Sequence, residues 1–508
     1  MRTKKAFKNV TASLVNNISI SILRLISRTI FIKIIGDIYL GVNGLLSNVL
    51  GVLALADLGI GVAINYSLYQ PLANKNTEKI KSLMNFYKKA YYIIALVITV
   101  AGLILLPFLD YFITGVSVPH MKLYYLIFLA NMTFGYLFAH RRTLIIADQA
   151  EYKITYIHAL FTLLMTIGQI IILVVFKSYI LYLFVQTVTV LTEHIVVNRF
   201  IKKKYPYLGE KNILPLQKEE KKEINTNVKA LMFHKLGGYF VDSTDNIIIA
   251  KFLGLVKVGI YSNYFLLLNI INNFLVSGLW STTSSFGNLN VSEKPKKKLE
   301  TFYKLNFIGF SVFCVCTICF LNLFNLFIKD FWLGGKYLLG FSTVIVICLN
   351  FYIVGLLYVA DTIKSSAGLY NKDKFVPIIQ GIVNVVASVI LVQYYGILGV
   401  FIGTTISHLV PIIIKPIIIY KNLFDISFYD YYKKYIKQLV VLIFSGFVSV
   451  FILSNVSFAN RVVNLLFATI TSLIVPVVLI LITYFKTEEF RNTVNHIKIF
   501  VSKRKDKI

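Results

Sequence analysis

Long apolar runs dominate the order of hydrophobic and polar positions along this chain. Several of them contain no Asp, Glu, Lys or Arg, among them 305–328, 375–414, 438–460 and 462–485. Each of these four reaches at least the ~20 residues that a helix needs to cross the hydrocarbon core of a bilayer. The full pattern predicts fourteen spanning helices, at 10–35, 40–66, 89–109, 121–141, 153–176, 178–199, 229–253, 258–286, 303–328, 341–363, 375–395, 397–421, 437–456 and 462–485. The predicted fold is therefore all-α and polytopic in the membrane.

Composition and charge support this prediction and orient the helices. Of the 508 residues, 57% are hydrophobic and only 15% are charged, as is typical of membrane proteins. With the N-terminus inside, the inner segments hold 41 of the 52 lysines and arginines and the outer segments hold 8. This alternation follows the positive-inside rule and predicts a multi-pass protein of the cell membrane with both termini in the cytoplasm. The basic residues are spread over eight inner segments, which argues against nucleic-acid binding.

The longest hydrophilic stretch divides the chain into two lobes. The predicted domains are a first lobe of six helices at 1–200, a cytoplasmic linker at 201–228, a second lobe of six helices at 229–421, and two further helices with a basic tail at 422–508. Because six is an even number, both lobes are expected to have the same orientation in the membrane.

A short internal repeat supports two related lobes. Shifting the chain by 218 residues places 30–41 on 248–259. Four positions then match identically: Ile30, Lys33, Gly36 and Gly41. Both copies lie at the outer end of the first predicted helix of a lobe. The pattern predicts a parallel, pseudo-symmetric repeat with a binding site between its halves.

Two arginines interrupt the first predicted helix. Arg24 and Arg28 are four residues apart and share one helical face with Ser13, Asn17 and Ser21. A charge at the bilayer centre costs at least ~2.5–3.5 kcal/mol, so such residues normally face a partner or a wet cavity. The spacing predicts a polar, doubly cationic stripe that faces something anionic. The alternative is that the arginines pair with acids and hold the lobes together.

A second polar stripe lies on the seventh predicted helix. His234, Gly238, Asp242 and Asp245 fall within about one face of that helix. Two close carboxylates shift each other's pKa, which is one way to build a proton site. The alternative is a structural ion pair between the lobes. The residues predicted for coupling or for such a pair are His234, Lys235, Asp242, Asp245, Asp361 and Glu193.

Further polar stripes occur in both lobes, on the second, eighth, eleventh and twelfth predicted helices. They include Asn43, Asp57, Asn269, Asn273, Trp280, Gln380, Asn384 and His408. Taken together they predict a hydrated central chamber. Each one taken singly has an alternative interpretation, a hydrogen bond between helices worth ~0.6 kcal/mol.

Three segments carry a family resemblance. They are Leu53-Ala-Leu-Ala-Asp-Leu-Gly-Ile-Gly-Val-Ala63, Asp242-Ser-Thr-Asp-Asn-Ile-Ile-Ile-Ala-Lys251, and Ala360-Asp-Thr-Ile-Lys364 with the following Gly368-Leu-Tyr-Asn-Lys-Asp373. They resemble the polysaccharide transporters, the Wzx-type oligosaccharide-lipid flippases of the multidrug/oligosaccharidyl-lipid/polysaccharide (MOP) exporter superfamily. The resemblance implies a V-shaped bundle of two lobes. It would flip undecaprenyl-pyrophosphate-linked repeat units to the outer leaflet by alternating access, for capsular or exopolysaccharide synthesis.

Guanidinium groups bind phosphate oxygens bidentately, so the two arginines are predicted to hold the pyrophosphate while the saccharide occupies the chamber. The predicted substrate-binding residues are Arg24, Arg28, Asn17, Asn43, Asp57, Asn269, Asn273 and Trp280. Related lipid II flippases suggest that the last two helices line a lipid-facing groove. The expected partners are the lipid-linked oligosaccharide, membrane lipids, H⁺ or Na⁺ as a coupling ion, and a polysaccharide polymerase with glycosyltransferases.

Alternative functions stay open at this stage. A lipid II flippase shares the helix number and the arginines, and a multidrug/cation antiporter of the same superfamily shares the lobes. A polytopic glycosyltransferase or ligase should carry a large outer loop, which this pattern lacks. No Walker loop, metal-ligand cluster or nucleophile triad is evident, so neither an enzyme nor a cofactor is expected. The cysteines of the Cys314-x-Cys316-x-x-Cys319 run are interpreted as packing thiols.

Overall fold

The computed structural model describes residues 20–57, 60–112, 118–148, 150–210, 213–222, 224, 244–280, 295–367, 369–424 and 427–494. Every regular element in these ranges is helical. Twelve of the described helices are long and apolar enough to cross a membrane. They correspond to twelve of the fourteen predicted spans. The first and seventh predicted spans are described only over 20–34 and Thr244–Leu253. An all-α, multi-pass membrane fold is confirmed.

By contact the chain divides into two compact units, Met1–Asn263 and Tyr264–Ile508. The first unit contains α1 (20–34), α2 (Asp37–Leu53), α3 (Ile60–Ala73), α4 (Thr77–Leu105), α5 (Met121–Ala147), α6 (Tyr152–Phe176), α7 (Tyr179–Lys204), α8 (Thr244–Leu253) and the beginning of α9 (Leu255–Trp280). The predicted domains at 1–200, 201–228, 229–421 and 422–508 stay a prediction.

The second unit contains the remainder of α9 and six long helices: α10 (Pro295–Phe327), α11 (Phe341–Ser366), α12 (Val376–Tyr395), α13 (Ile397–Ile419), α14 (Tyr429–Asn455) and α15 (Arg461–Tyr484). Its core is rich in aromatic side chains. One cluster surrounds Phe310 and Tyr352, and a second surrounds Phe302 and Tyr420. Cys314 is a free thiol packed in the first of these clusters.

The predicted helix at 40–66 is not continuous. α2 ends at Leu53, a 3₁₀ turn covers Ala54–Asp57, and α3 begins at Ile60. Glycines at positions 59 and 61 follow the turn. Glycine has a low helix propensity, so the sequence at this point favours a break.

The internal repeat is visible in the backbone. Gly36 separates α1 from α2 with φ at +97°, and its repeat equivalent Gly254 separates α8 from α9 with φ at +84°. Only glycine adopts such angles at little cost. Both copies therefore form the same helix–glycine–helix corner.

The two copies of the repeat also pack against each other within the first unit. A Cβ added to Gly41 would lie 2.1 Å from the carbonyl oxygen of Leu255, and one added to Gly259 would lie 2.7 Å from that of Asp37. Leu255 is the repeat equivalent of Asp37, and Gly259 is that of Gly41. The crossing of α2 and α9 is therefore reciprocal, as at a two-fold interface.

Candidate functional site

Arg28 lies on α1 against the first turns of α9. Its Nε donates a hydrogen bond to Oδ1 of Asn263 at 2.7 Å. Its Nη2 donates to Oγ of Ser262, which in turn donates to the carbonyl oxygen of Gly259 at 2.8 Å. The glycine crossing thereby fixes the position of the guanidinium group, because both of its partners follow Gly259 within about one helical turn.

The environment of Arg28 supplies hydrogen bonds but no negative charge from the part of the chain that the structure describes. Its two partners are neutral, and the neighbouring titratable group is the phenol of Tyr182. Asn263 is fully buried, and its Nδ2 has no hydrogen-bond partner among the described residues. The arrangement is a half-buried cation beside a spare amide donor, which suits an anionic oxygen ligand.

Arg24 differs from Arg28 although it lies one turn away on the same helix. Its side chain is exposed, and it has no ion pair or hydrogen bond with any residue in the described ranges. The two predicted cations therefore differ in their surroundings. Asn17, on the same predicted stripe, lies outside the described residues.

An aromatic cluster lies beside Arg28. Tyr179 packs against Phe31, Tyr39, Tyr124 and Tyr182, with ring centroids 4.7–6.1 Å apart. The residue pattern along the chain does not indicate this cluster. The i, i+3 spacing of the two tyrosines on α7 was its only local signal, since the other rings come from α1, α2 and α5.

The predicted contacts on α2 have partners within the first unit. Asn43 accepts a hydrogen bond from the hydroxyl of Tyr179 at 2.8 Å. Asp57 is half-buried near the phenols of Tyr91 and Tyr136.

The predicted contacts on α9 are less enclosed. Asn269 is half-buried and Asn273 is exposed. Trp280 ends α9, and its side chain lies outside the described part.

Glu193 joins three helices of the first unit. Its carboxylate is buried, with Nδ1 of His158 at 3.1 and 3.2 Å from its two oxygens. Nη2 of Arg142 lies 3.5 Å from Oε1. These contacts link α5, α6 and α7.

The predicted stripe on the seventh helix is described only at Asp245, which is buried in the first turn of α8. His234, Lys235 and Asp242 lie outside the described residues.

Asp361 belongs to an ion network inside the second unit. Nζ of Lys415 lies 2.7 Å from its Oδ2, and Nζ of Lys364 lies 3.1 Å from its Oδ1. Lys364 also pairs with the buried Asp373. Two acids and two lysines thus neutralise one another and join α11 to α13 and to the loop before α12.

The polar stripes of the eleventh and twelfth predicted helices face each other. Gln380 Nε2 lies 2.9 Å from His408 Nδ1, and Asn384 Nδ2 donates to Thr404 Oγ1 at 3.1 Å. All four side chains are buried. Here the prediction of a wet chamber is wrong, because these residues form hydrogen bonds between α12 and α13.

An apolar groove of about 720 Å³ opens on the second unit. Residues of α10, α11, α13 and α14 line it, among them Thr317, Cys348, Leu409, Gly446 and Phe451. Most of its lining side chains are hydrocarbon. The groove could therefore hold an alkyl or isoprenoid chain but offers little to a polar solute.

Comparisons with known proteins identify the fold. No family model matches the chain, and no curated protein matches it in sequence. Among solved structures, lipid II flippase MurJ in an inward closed conformation matches with a TM-score of 0.66 and 13% identity, covering 94% of this chain and 99% of MurJ.

Two MATE transporters match as well. An inward-facing multidrug resistance MATE family transporter of the MOP superfamily gives a TM-score of 0.59 at 16% identity, covering 79% of this chain and 96% of its own. A mutant form of the Vibrio cholerae MATE transporter VcmN gives 0.59 at 14% identity, covering 84% of this chain and 98% of its own. The chain therefore has the all-helical membrane fold that MurJ and these MATE transporters share.

Proposed function

We propose that this protein is a flippase of the cell membrane. It would translocate undecaprenyl-pyrophosphate-linked oligosaccharide repeat units from the inner to the outer leaflet by alternating access, for capsular or exopolysaccharide synthesis. Both termini would lie in the cytoplasm. The observation that carries this proposal is the guanidinium of Arg28, held by Asn263 and Ser262 without a carboxylate partner among the described residues.

Arg28 supports this proposal through electrostatics. A half-buried ion loses part of its hydration free energy, and neutral hydrogen-bond partners return only some of that loss. A pyrophosphate would supply the missing negative charge and would itself avoid crossing the hydrocarbon unpaired. A cationic drug would gain nothing from this site.

The apolar groove supports a lipid cargo. A pyrophosphate-linked sugar is polar, but its polyprenyl chain is hydrocarbon and needs no aqueous path. The groove beside α14 offers such a chain about 720 Å³ of apolar space. In this proposal the tail lies in the groove while the head group moves.

A lipid II flippase is the second candidate, and one comparison favours it. MurJ matches 94% of this chain, whereas the inward-facing MATE transporter matches 79%. Lipid II also carries a pyrophosphate and a polyprenyl chain, so Arg28 and the groove would serve it equally. A drug antiporter has neither of these two supports.

We assign ion coupling, by H⁺ or Na⁺, to the helix that contains Asp245. Glu193 and Asp361 were predicted for the same role, but each pairs with cations of its own unit, which supports a structural role for both. Asp245→Asn should slow transport and weaken its dependence on an imposed ion gradient. Glu193→Gln should instead lower thermal stability and leave the gradient dependence unchanged.

Transport into proteoliposomes tests the proposal. The reconstituted chain is offered fluorescent undecaprenyl-pyrophosphate-linked oligosaccharide, lipid II, or a cationic dye. We expect translocation of the first and little of the dye. Arg28→Lys keeps the charge but loses the bidentate fork, so transport should fall about tenfold or more. Lys33→Gln, on the same helix but exposed, is the matched control and should transport normally.

The outcomes separate the candidates. Faster transport of lipid II than of the oligosaccharide lipid would favour the second candidate. Transport of the dye alone, or full activity of Arg28→Lys, would reject a pyrophosphate cargo held by this arginine.

A further inference from the structure

We propose that the first unit binds the phosphate group of an anionic phospholipid in a pocket between the start of α4 and the end of α5. The pocket has a volume of about 100 Å³, whereas a single water needs only ~10–15 Å³. Its lining includes Lys81, Asn85, Lys88, His140, Arg141 and Leu208. It lies on the side predicted to be cytoplasmic, and the proposal does not depend on which substrate the protein transports.

One of the three cations in this pocket is already neutralised. Nζ of Lys81 lies 2.6 Å from Oε1 of Glu78 and 2.7 Å from Oε2 of Glu210. Its side chain is only 3% exposed. Lys81 therefore anchors the segment after α7 over the pocket and is not available to a ligand.

The other two cations have no carboxylate partner among the residues the structure describes. Arg141 donates a hydrogen bond to the neutral amide of Asn198. Nζ of Lys88 lies 5.5 Å from the centre of the Tyr92 ring. A guanidinium and an ammonium around a small concave space are the donors that phosphate oxygens prefer.

The surface beside the pocket indicates a lipid rather than a free anion. Apolar side chains continue along α4 after Lys88 and Lys89, and four of them are 46–63% exposed: Tyr92, Ile93, Leu96 and Val97. Because Lys88, Tyr92 and Leu96 are spaced by four residues, they share one face of the helix. A phosphate held at Lys88 would place its acyl chains along this face, as in other basic pockets at the cytoplasmic ends of membrane helices.

Titration of the purified full-length protein in detergent tests this site. The probes are short-chain phosphatidylglycerol, phosphatidylcholine with the same chains, and inorganic phosphate. We expect saturable binding of phosphatidylglycerol, with the other two weaker by about tenfold or more. Lys88→Gln combined with Arg141→Gln should weaken phosphatidylglycerol binding by about tenfold for each cation removed. Lys89→Gln is the matched control, since Lys89 is exposed and does not line the pocket.

Several results would overturn the proposal. Inorganic phosphate binding as tightly as phosphatidylglycerol would make this a site for a free anion. An equal loss in Lys89→Gln would indicate diffuse surface charge. If the double variant does not fold, Leu208→Trp fills the pocket and keeps every charge. That variant should lose phosphatidylglycerol binding, and unchanged binding would reject the site.

Discussion

The reciprocal glycine crossing of α2 and α9 makes a quantitative prediction. Real Cβ atoms essentially never approach another atom within 3.0 Å. The Cβ of Gly41→Ala would start 2.1 Å from a carbonyl oxygen, so the helices must separate by about 0.9 Å. Gly259→Ala starts at 2.7 Å and requires only about 0.3 Å. Overpacking of this kind typically costs about 1–3 kcal/mol, so Gly41→Ala should be the more destabilising change.

The assay is thermal unfolding of purified protein in detergent. Gly135→Ala is the matched control, because Gly135 lies within α5 and an added Cβ meets nothing within 4 Å beyond its own helix. It should be neutral or stabilising by up to about 1 kcal/mol, since alanine favours helix more than glycine does. The expected order of melting temperature, from highest to lowest, is Gly135→Ala, wild type, Gly259→Ala, Gly41→Ala.

The double variant tests reciprocity. A separation that relieves the clash at Gly41 also relieves the clash at Gly259, so the two changes together should cost less than their sum. Strict additivity, or a Gly41→Ala protein that melts at or above the wild type, would refute the tight crossing. The same separation could lengthen the bond from Arg28 to Asn263 from 2.7 Å to about 3.6 Å, beyond hydrogen-bonding distance.

Three further predictions concern the second unit. Gly446→Leu should leave stability nearly unchanged, because an added Cβ meets the nearest atoms of the groove at an ordinary 3.5 Å. It should slow lipid transport, because Gly446 lines the groove and the larger side chain would occupy part of it. Transport at the wild-type rate would argue against a tail in the groove. Lys364→Met should lower thermal stability by about 3–5 kcal/mol because it breaks two pairs with acids, one of them buried, whereas Lys415→Met breaks one pair and should cost less. At Glu489 burial raises the pKa, but the hydrogen bond and the charge of Lys434, together with local hydrogen bonds, outweigh burial, and the net pKa lies below the ordinary 4.5. Because the pKa of Glu489 is depressed in the folded state, the stabilisation that its carboxylate contributes is present above pH 4.5 and is lost as the pH falls through the lowered value. Glu489→Gln should therefore melt at a lower temperature than the wild type at about pH 7 and at the same temperature at low pH. A difference in melting temperature that persists in acid would exclude the pair of Glu489 and Lys434 as the cause.

Length and polarity were enough to find the twelve helices of spanning length that the described ranges contain. An apolar run of about 20 or more residues has few alternatives in a chain of this composition, and the outcome at 438–460 and 462–485 illustrates this. The break after Leu53 was missed because its signal is local and weak. Glycines and a lone aspartate occur in many continuous helices as well.

Arg28 could be singled out from the sequence, but its partners could not. Ser262 and Asn263 are 234 and 235 residues away along the chain, and no single-sequence pattern reports such a contact. The stripes at Gln380 and His408 show the opposite error. Periodicity identifies a polar face but does not tell whether water or another polar helix covers it.

Binding of undecaprenyl pyrophosphate to the purified protein tests the central claim most directly. We predict that Arg28→Gln weakens this binding by about tenfold or more, that Asn263→Ala weakens it less because the cation is kept, and that Lys33→Gln leaves it unchanged. Equal affinity of the wild type and a folded Arg28→Gln protein would contradict the account.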